Sequence, residues 1–212
     1  LVSSEYSRRF PSFRGEYYAL MLFSVSGMML LASAVELISI YIALGLSALP
    51  LAALAAFLRD AKSSESGLKF LVLSGISSAV LLYGMVLVYG FTGSTALPEV
   101  AERLSGITLG QEPFGSYALM LGIVFIIAGF GFKIASAPFQ MWVPDVYEGA
   151  PKPITAFLSV ASKAAGFAVI LRVFYIAFGE ISLNWSALFA VLSAASMTVG
   201  NLVAIAQSNI KR

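Results

Sequence analysis

The segment GFGFKIASAPFQMWVPDVYEG, residues 129–149, places Lys133 inside an apolar run that ends at Pro138. A proline inside a helix removes one backbone donor and clashes with the preceding turn, so the helix should kink or break there. A harmless kink near the helix end and a true break that exposes backbone polar groups are both open. An ammonium group in such a run is costly to bury. The fold class therefore depends on whether water or lipid surrounds this segment.

The composition of the whole chain indicates that this solvent is a lipid bilayer. Of the 212 residues, 59% are hydrophobic and only 11% are charged, whereas a soluble domain carries about 25% charged residues. The apolar residues also form long runs, with neither the alternation of strands nor a single helical stripe. This pattern predicts an all-α polytopic membrane protein.

Six apolar stretches are each near the ~20 residues needed to cross a bilayer. They are residues 17–34, 36–57, 67–91, 114–141, 154–178 and 185–206. We expect one transmembrane domain over residues 1–212, in which the fourth helix is broken at Pro138. The chain starts with leucine and stops just after an apolar helix, so we expect a partial chain of a larger subunit.

Lysine and arginine are distributed unequally between the predicted loops, and such residues favour the cytoplasmic side. One side holds Arg8, Arg9, Arg14, Arg59, Lys62, Lys152, Lys211 and Arg212; the other holds Arg103 with Glu99, Glu102, Glu112 and Glu180. We therefore predict a multi-pass protein of the cell membrane with both ends of this chain in the cytoplasm. The loop 92–113 is then non-cytoplasmic, and its LPEVAERL segment predicts either a short surface helix or an irregular loop.

Cysteine and histidine are both absent. Their absence removes disulfides, cysteine-ligated iron–sulfur clusters and the usual zinc or haem ligands. No Gly-rich phosphate loop is present, and a formal charge of +2 gives no case for nucleic-acid binding. We expect no cofactor in this chain, and any proton transfer near neutral pH must use lysine, a carboxylate or water.

Lys133 and Lys163 are the candidate proton-transfer residues, because both lie within predicted spans. Lys133 lies towards the cytoplasmic part of the fourth span, and Lys163 lies near the middle of the fifth. Burial in a low-dielectric medium disfavours the charged form of an amine, which allows it to load and release a proton when neighbouring charges change. The alternative is that each side chain extends to the membrane interface, and Lys133 is the nearer of the two to a helix end.

Two acidic residues have predicted structural roles. Glu36 opens the second span, where a carboxylate is favoured by the helix dipole, so we expect it to cap that helix. Asp145 belongs to VPDVYEGAPKPITAF, which contains three prolines and should form a rigid turn before the fifth helix. From composition alone, Asp145 and Glu148 are expected to be solvated loop charges.

The stretch FKIASAPFQMWVPDVYEGAPKPITAFLSVASKAAGFAVILR, residues 132–172, resembles subunit N of the proton-pumping NADH–quinone oxidoreductase, respiratory complex I. SGLKFLVLSGISSAVLLYGMVLVYGFTGST, SIYIALGLSALPLAAL and MTVGNLVAIAQSNIKR are similar to the same family. The sister antiporter-like subunits commonly carry a histidine near WVPD, where this chain has Val146 and Tyr147. The resemblance extends from Tyr17 to the end of the chain.

The resemblance implies a larger protein of about fourteen helices built from inverted five-helix repeats. This chain would hold helices four to nine, which make up the first antiporter-like repeat plus one helix, and its helix seven would be discontinuous. Lys133 matches the family's proton-loading lysine of helix seven, and Lys163 matches the lysine of helix eight that passes protons along. The family pairs the first lysine with a glutamate in a motif like GLELLSLP, but this chain has Gly45 at that position.

Three functions follow as expectations. The first is a proton-translocating subunit of complex I, with other membrane subunits as partners and with quinone, NADH, flavin and iron–sulfur clusters bound only by partner subunits. The second is a structural membrane spacer that lost pumping with its glutamate. The third is a related multi-subunit cation/proton antiporter.

Overall fold

The computed structural model describes residues 2–6, 13–105, 113–179 and 185–209, and these residues are predominantly helical. The helices are α1 (Val2–Tyr6), α2 (Arg14–Ser33), α3 (Leu37–Ala55), α4 (Ala61–Thr92), α5 (Leu97–Ser105), α6 (Pro113–Ile134), α7 (Val143–Gly149), α8 (Lys152–Ile176) and α9 (Trp185–Ala206). A 3₁₀ helix, Phe139–Trp142, precedes α7. Within these ranges the only β pairing is an isolated bridge between Glu36 and Ala96.

Six helical segments of the described chain are long and apolar enough to cross a membrane, which confirms the predicted all-α polytopic fold. They are α2, α3, α4, the segment Tyr117–Gly149, α8 and α9. The third predicted span starts too late, because α4 begins six residues earlier, at Ala61. The carboxylate of Asp60 accepts a hydrogen bond of 2.7 Å from the Ser63 amide and so satisfies one of the free donors of the first turn.

The helices pack around a centre formed by α3, α4, α6 and α8, with α2 against α3 and α8. The crossing of α4 and α6 is close because it is lined by glycine: a Cβ added at Gly84 would lie 2.7 Å from the Gly122 carbonyl oxygen. Small residues allow helix backbones to approach in this way in membranes. None of the residues of α9 is buried, so this helix lies at the edge of the bundle.

The loop 92–113 contains the helix α5, so the helical alternative is correct for this segment. Its apolar residues Leu97, Val100 and Leu104 are buried, while the guanidinium of Arg103 donates to the Thr92 carbonyl. The helix therefore packs down on the bundle. Residues 106–112 of this loop lie outside the described residues, and the side of the membrane that it faces stays a prediction.

The basic ends of several helices meet at one end of the bundle. The Arg59 guanidinium lies 4.5 Å from the ring centroid of Phe13, and the Lys62 amine lies 3.5 Å from the Glu148 carboxylate. This proximity agrees with the grouping of basic loops on one side. Other charges used for the orientation lie outside the described residues: Arg8, Arg9, Glu112, Glu180, Lys211 and Arg212. The orientation in the membrane remains a prediction.

The predicted break near Pro138 is confirmed, although the helix stops before the proline. Helix α6 ends at Ile134, not at residue 141, and Ala135 has a positive φ of 59°. The freed amides find partners: Ser136 donates to the Gly131 carbonyl and Ala137 donates to Ser196 Oγ, each at 2.9 Å. A broken helix at membrane depth needs such partners, since lipid offers none.

The segment after the break is helical where the sequence predicted a rigid turn. Pro144 lies in the first turn of α7, where a proline is tolerated because its missing amide would have no helical partner there. Only Ala150 and Pro151 separate α7 from α8. The prediction of a turn over this whole segment was wrong, because these prolines lie at helix starts and do not interrupt helices.

Glu36 occupies the N-cap position of α3, but its side chain does not cap the helix. Its carboxylate accepts hydrogen bonds from Thr95 Oγ1 at 2.7 Å and from Ser39 Oγ at 3.2 Å. The Leu37 amide donates to the Thr95 carbonyl at 2.9 Å. The predicted capping role was therefore wrong: Glu36 fastens the start of α3 to the segment that leads into α5.

Candidate proton-transfer site

Lys133 lies in the last turn of α6, directly before the helix break, and only 8% of the residue is exposed. Its amine donates a 3.0 Å hydrogen bond to Ser47 Oγ on α3. Ser47 is itself held in place, because Ser24 Oγ on α2 donates to its carbonyl at 3.0 Å. The amine is thus enclosed among helices, and the alternative of an interfacial lysine does not describe Lys133 in this structure.

A cavity of about 30 Å³ borders the Lys133 side chain, and we call it the lysine chamber. Its hydroxyl-bearing lining residues are Ser74, Ser77, Ser78 and Ser162; its apolar lining includes Leu44, Leu81, Phe70 and Trp142. A buried water needs roughly 10–15 Å³ and two to four polar partners. The chamber therefore has the size and the hydroxyl groups to hold one or two waters beside the amine.

Lys163 has a more open environment than Lys133, although the sequence placed it nearer to mid-membrane. The residue is half-buried on α8, and its amine lies 6.0 Å from the ring centroid of Tyr147. Ser162, the preceding residue, lines the lysine chamber, and a Cβ at Gly166 would lie 3.4 Å from Lys133 Cγ. Helix α8 thus brings Lys163 close to the chamber without enclosing its amine.

Tyr147 was not selected from the sequence as a site residue. Its hydroxyl and the Gln140 side-chain oxygen are buried and have no hydrogen-bond partner within the described residues. Both belong to the segment between the helix break and α8. The available signal was the resemblance, since sister subunits commonly carry a titratable histidine in this segment.

Neither Lys133 nor Lys163 forms an ion pair in the described part of the chain. At Gly45, where the resemblance leads one to expect a glutamate, an added Cβ would meet no atom within 4 Å. A side chain at this position therefore has open space. The structure adds a neutral partner for Lys133 that the sequence did not predict, the Ser47 hydroxyl.

The carboxylates are instead found in an open cleft of about 300 Å³ between α4 and α7, which we call the charged cleft. It is lined by Lys62, Glu65, Ser66, Lys69, Asp145, Glu148 and Gly149. The Lys69 amine lies 2.6 Å from Asp145 and 2.7 Å from Glu65. Asp145 was expected to be a solvated loop charge; it lies in the first turn of α7 and is paired with Lys69, so the predicted loop was wrong, although 41% of its side chain is exposed.

The sequence profile described as "NADH:quinone oxidoreductase/Mrp antiporter, TM" matches residues 34–212 of this chain. The chain belongs to this family. Its relatives include NADH-quinone oxidoreductase subunit N of Dehalococcoides mccartyi, which is 47% identical over the whole chain, and that of Moorella thermoacetica, which is 49% identical over 99% of it. The chain spans 44% and 43% of the lengths of these two relatives.

Solved structures of related complexes contain the same fold. A chain in respiratory complex I from Thermus thermophilus with bound aureothin is 40% identical and superposes with a TM-score of 0.77, covering 94% of this chain and 42% of that one. A chain of the Mrp complex from Dietzia superposes with a TM-score of 0.74 at 19% identity, covering 89% of this chain and 34% of that one. The second likeness shows the fold alone.

Proposed function

We propose that this chain is the proton-translocating part of a subunit N of NADH–quinone oxidoreductase. Partner subunits would transfer electrons from NADH to quinone and bind the flavin and iron–sulfur clusters, and other membrane subunits would contact this chain in the bilayer. The support is membership of the family, the identity to NADH-quinone oxidoreductase subunit N relatives over nearly the whole chain, and the buried amine described above.

The enclosure of Lys133 carries this proposal. A cationic amine at this depth is stabilised only by what touches it, and its described polar partner is a neutral hydroxyl. Loss of the proton therefore breaks no ion pair, while a change in a nearby charge shifts the balance between the ammonium and the amine. This is the property that a proton-loading group needs.

Lys163 would be the second carrier. It follows Ser162 of the chamber lining, and its amine lies above the Tyr147 ring. In this proposal, a proton released by Lys133 would pass to Lys163 by way of hydroxyl groups and waters of the chamber, which Ser162 lines. The proposed order is Lys133 first and Lys163 second, with the cell-membrane orientation in which both ends of this chain are cytoplasmic.

The experiment is to replace each lysine by alanine in the assembled oxidoreductase and to measure protons moved per electron in sealed vesicles. We expect Lys133→Ala and Lys163→Ala to lower this ratio or to slow electron transfer at least tenfold. Lys152→Ala is the matched control, because Lys152 is an exposed residue at the start of α8. An unchanged ratio and rate in both lysine variants would refute the proposal.

One observation favours a second candidate, a membrane spacer that no longer pumps. Gly45 replaces the carboxylate that the resemblance pairs with Lys133, and no carboxylate forms an ion pair with this amine in the described ranges. A spacer would tolerate Lys163→Ala with an unchanged proton-to-electron ratio. The same measurement therefore separates the two functions.

A further inference from the structure

The charged cleft and the lysine chamber lie along one face of α4. Ser66 lines the cleft, and Ser74, Ser77 and Ser78 line the chamber. At 1.5 Å per residue, the twelve residues from Ser66 to Ser78 span about 18 Å along the helix. This spacing follows the helical repeat, so the four hydroxyl groups form one row along α4 that is interrupted at one point, between Ser66 and Ser74.

That point is Phe70, which lies one turn after Ser66 and one turn before Ser74. Phe70 is almost completely buried, as is Trp142 of the 3₁₀ helix, and their ring centroids are 5.0 Å apart. Both rings line the chamber. The ring pair therefore forms the apolar wall of the chamber on the side of the cleft, where a chain of waters has no hydrogen-bonding partner.

Trp142 is also connected to the helix break. Its indole Nε1 donates to the Phe132 carbonyl at 3.2 Å, one residue before Lys133. The ring is thus attached to the last turn of α6, while its backbone belongs to the segment after the break. Trp142 therefore links the last turn of α6 to the segment after the break, and a shift between these two segments would displace its ring.

On the cleft side of the ring pair, Ser66 Oγ donates to the Val146 carbonyl at 2.9 Å, and Lys69 pairs with Asp145 at 2.6 Å. On the chamber side, Ser77 Oγ donates to the Gly129 carbonyl at 3.2 Å. The polar contacts between α4 and the neighbouring helices thus continue on both sides of the rings. The row of polar groups along α4 is interrupted where the Phe70 and Trp142 rings meet.

We propose that the charged cleft is the proton entrance for Lys133 and that the Phe70–Trp142 ring pair closes the path between them. Separation of the rings connects the waters of the cleft to those of the chamber, and a proton then reaches the Lys133 amine along the serine row of α4. The proposal extends the proposed function, because it names the entrance that serves Lys133. Its test does not depend on pumping.

These 212 residues contain no cysteine, so Ser78→Cys introduces the single thiol of this chain, at a position that lines the chamber. The probe is the silver ion, a small cation that binds thiols and does not cross lipid. Membrane vesicles with the assembled complex are exposed to silver, and protection of the thiol from later alkylation is followed by mass spectrometry. We expect the rate to rise at least tenfold when Phe70→Ala is added, with silver supplied on the cleft side only.

Leu71→Ala is the matched control, because Leu71 is the next residue on α4 and its side chain is exposed on the outside of the bundle. It should change the silver rate less than twofold. If Phe70→Ala prevents assembly, Phe70→Leu replaces it, with an expected increase of about threefold. Equal rates with and without the Phe70 change, or equal rates from both sides of the vesicle, would overturn the proposed entrance.

Failure of the proposed entrance and failure of the proposed function would give different results in these experiments. Silver access that depends on Phe70, together with normal pumping by Lys133→Ala, would leave the ring pair as a closing element but remove the proton-loading role of Lys133. Silver access that is independent of Phe70, together with lost pumping by Lys133→Ala, would leave the proposed function intact and refute this entrance.

Discussion

The charged cleft and the lysine chamber stabilise a lysine in opposite ways. In the cleft, Lys69 is open to solvent and contacts two carboxylates, Glu65 and Asp145. In the chamber, Lys133 is enclosed and contacts the neutral hydroxyl of Ser47. The cationic form of lysine is thus stabilised by carboxylates in the cleft near the start of α4, whereas in the chamber beside the middle of α4 its described partner is a neutral hydroxyl.

This difference indicates which of the two lysines can change its charge at the lower cost. A buried ion that is fully paired is costly to alter, since removal of one charge leaves the other uncompensated. An amine that is held by a neutral group can change its charge without that penalty. If this comparison is right, substitutions around Lys133 in the chamber should have large effects, and substitutions in the open cleft should have small ones.

The largest effect is expected for Lys133→Arg. Arginine is larger than lysine and stays charged, and the chamber offers only about 30 Å³. We expect at least tenfold slower proton translocation and a loss of stability of about 1–3 kcal/mol, as for other overpacked interiors. Translocation in vesicles and thermal unfolding of the purified complex measure these effects. Lys69→Arg in the open cleft should stay within twofold, and equal losses in both variants would contradict the comparison.

The next effect concerns the support of Ser47 by α2. A Cβ at Gly27 would lie 2.5 Å from the Ser47 amide nitrogen, so Gly27→Ala should push α2 from α3 and cost about 1–3 kcal/mol. Gly45→Ala is the matched change on α3 and should be neutral or stabilising by about 0.5–1 kcal/mol, because an added Cβ there has open space and alanine is the better helix former. The melting temperature of the assembled complex reports both, and a similar melting temperature for the two variants would argue against tight packing behind Ser47.

Ser47→Ala tests the neutral partner directly. The change leaves the Lys133 amine without its described acceptor, at a cost of about 1–3 kcal/mol for the charged form, and we expect translocation to fall several-fold. Ser26→Ala is the control, because the exposed Ser26 hydroxyl only donates within its own helix, to the Leu22 carbonyl. If translocation is unaffected by Ser47→Ala, the hydroxyl is not what stabilises the amine.

The smallest effect is expected for Asp145→Asn in the cleft. Lys69 keeps Glu65 as a partner at 2.7 Å, and partly exposed ion pairs contribute little and are screened by salt. Translocation should change less than twofold, and the difference should vanish as the ionic strength is raised. A large, salt-independent loss would mean that the cleft is as tightly coupled to pumping as the chamber.

The sequence predicted the helices well but did not predict how far neighbouring helices cover each of the two lysines. The length and hydropathy of a segment can be read from that segment alone, so the sequence predicted all six spans. Pro138 indicated the break in the fourth span. Lys163 is near the middle of its helix and yet half-buried, while Lys133 is near a helix end and yet enclosed. Position along a helix does not determine which neighbours cover a side chain.

The errors at Glu36 and Asp145 have a similar origin. Both residues stand where helix-terminal rules apply, and both instead pair with residues that are distant in the sequence, Thr95 and Lys69. Rules for helix ends consider only hydrogen-bonding groups within the same segment of the chain. They cannot include a partner that another helix brings within hydrogen-bonding distance.

By itself, the sequence determined the membrane as the solvent, the helices that cross it, the break in the fourth span and the two lysines inside apolar runs. Only the tertiary structure decided that Lys133 contacts Ser47, 86 residues away, and that the Phe70 and Trp142 rings meet in the chamber wall with their centroids 5.0 Å apart. The physical reason is that these helices are apolar on nearly every side. Their sequences therefore do not state which face turns inward, and packing between close backbones makes that choice.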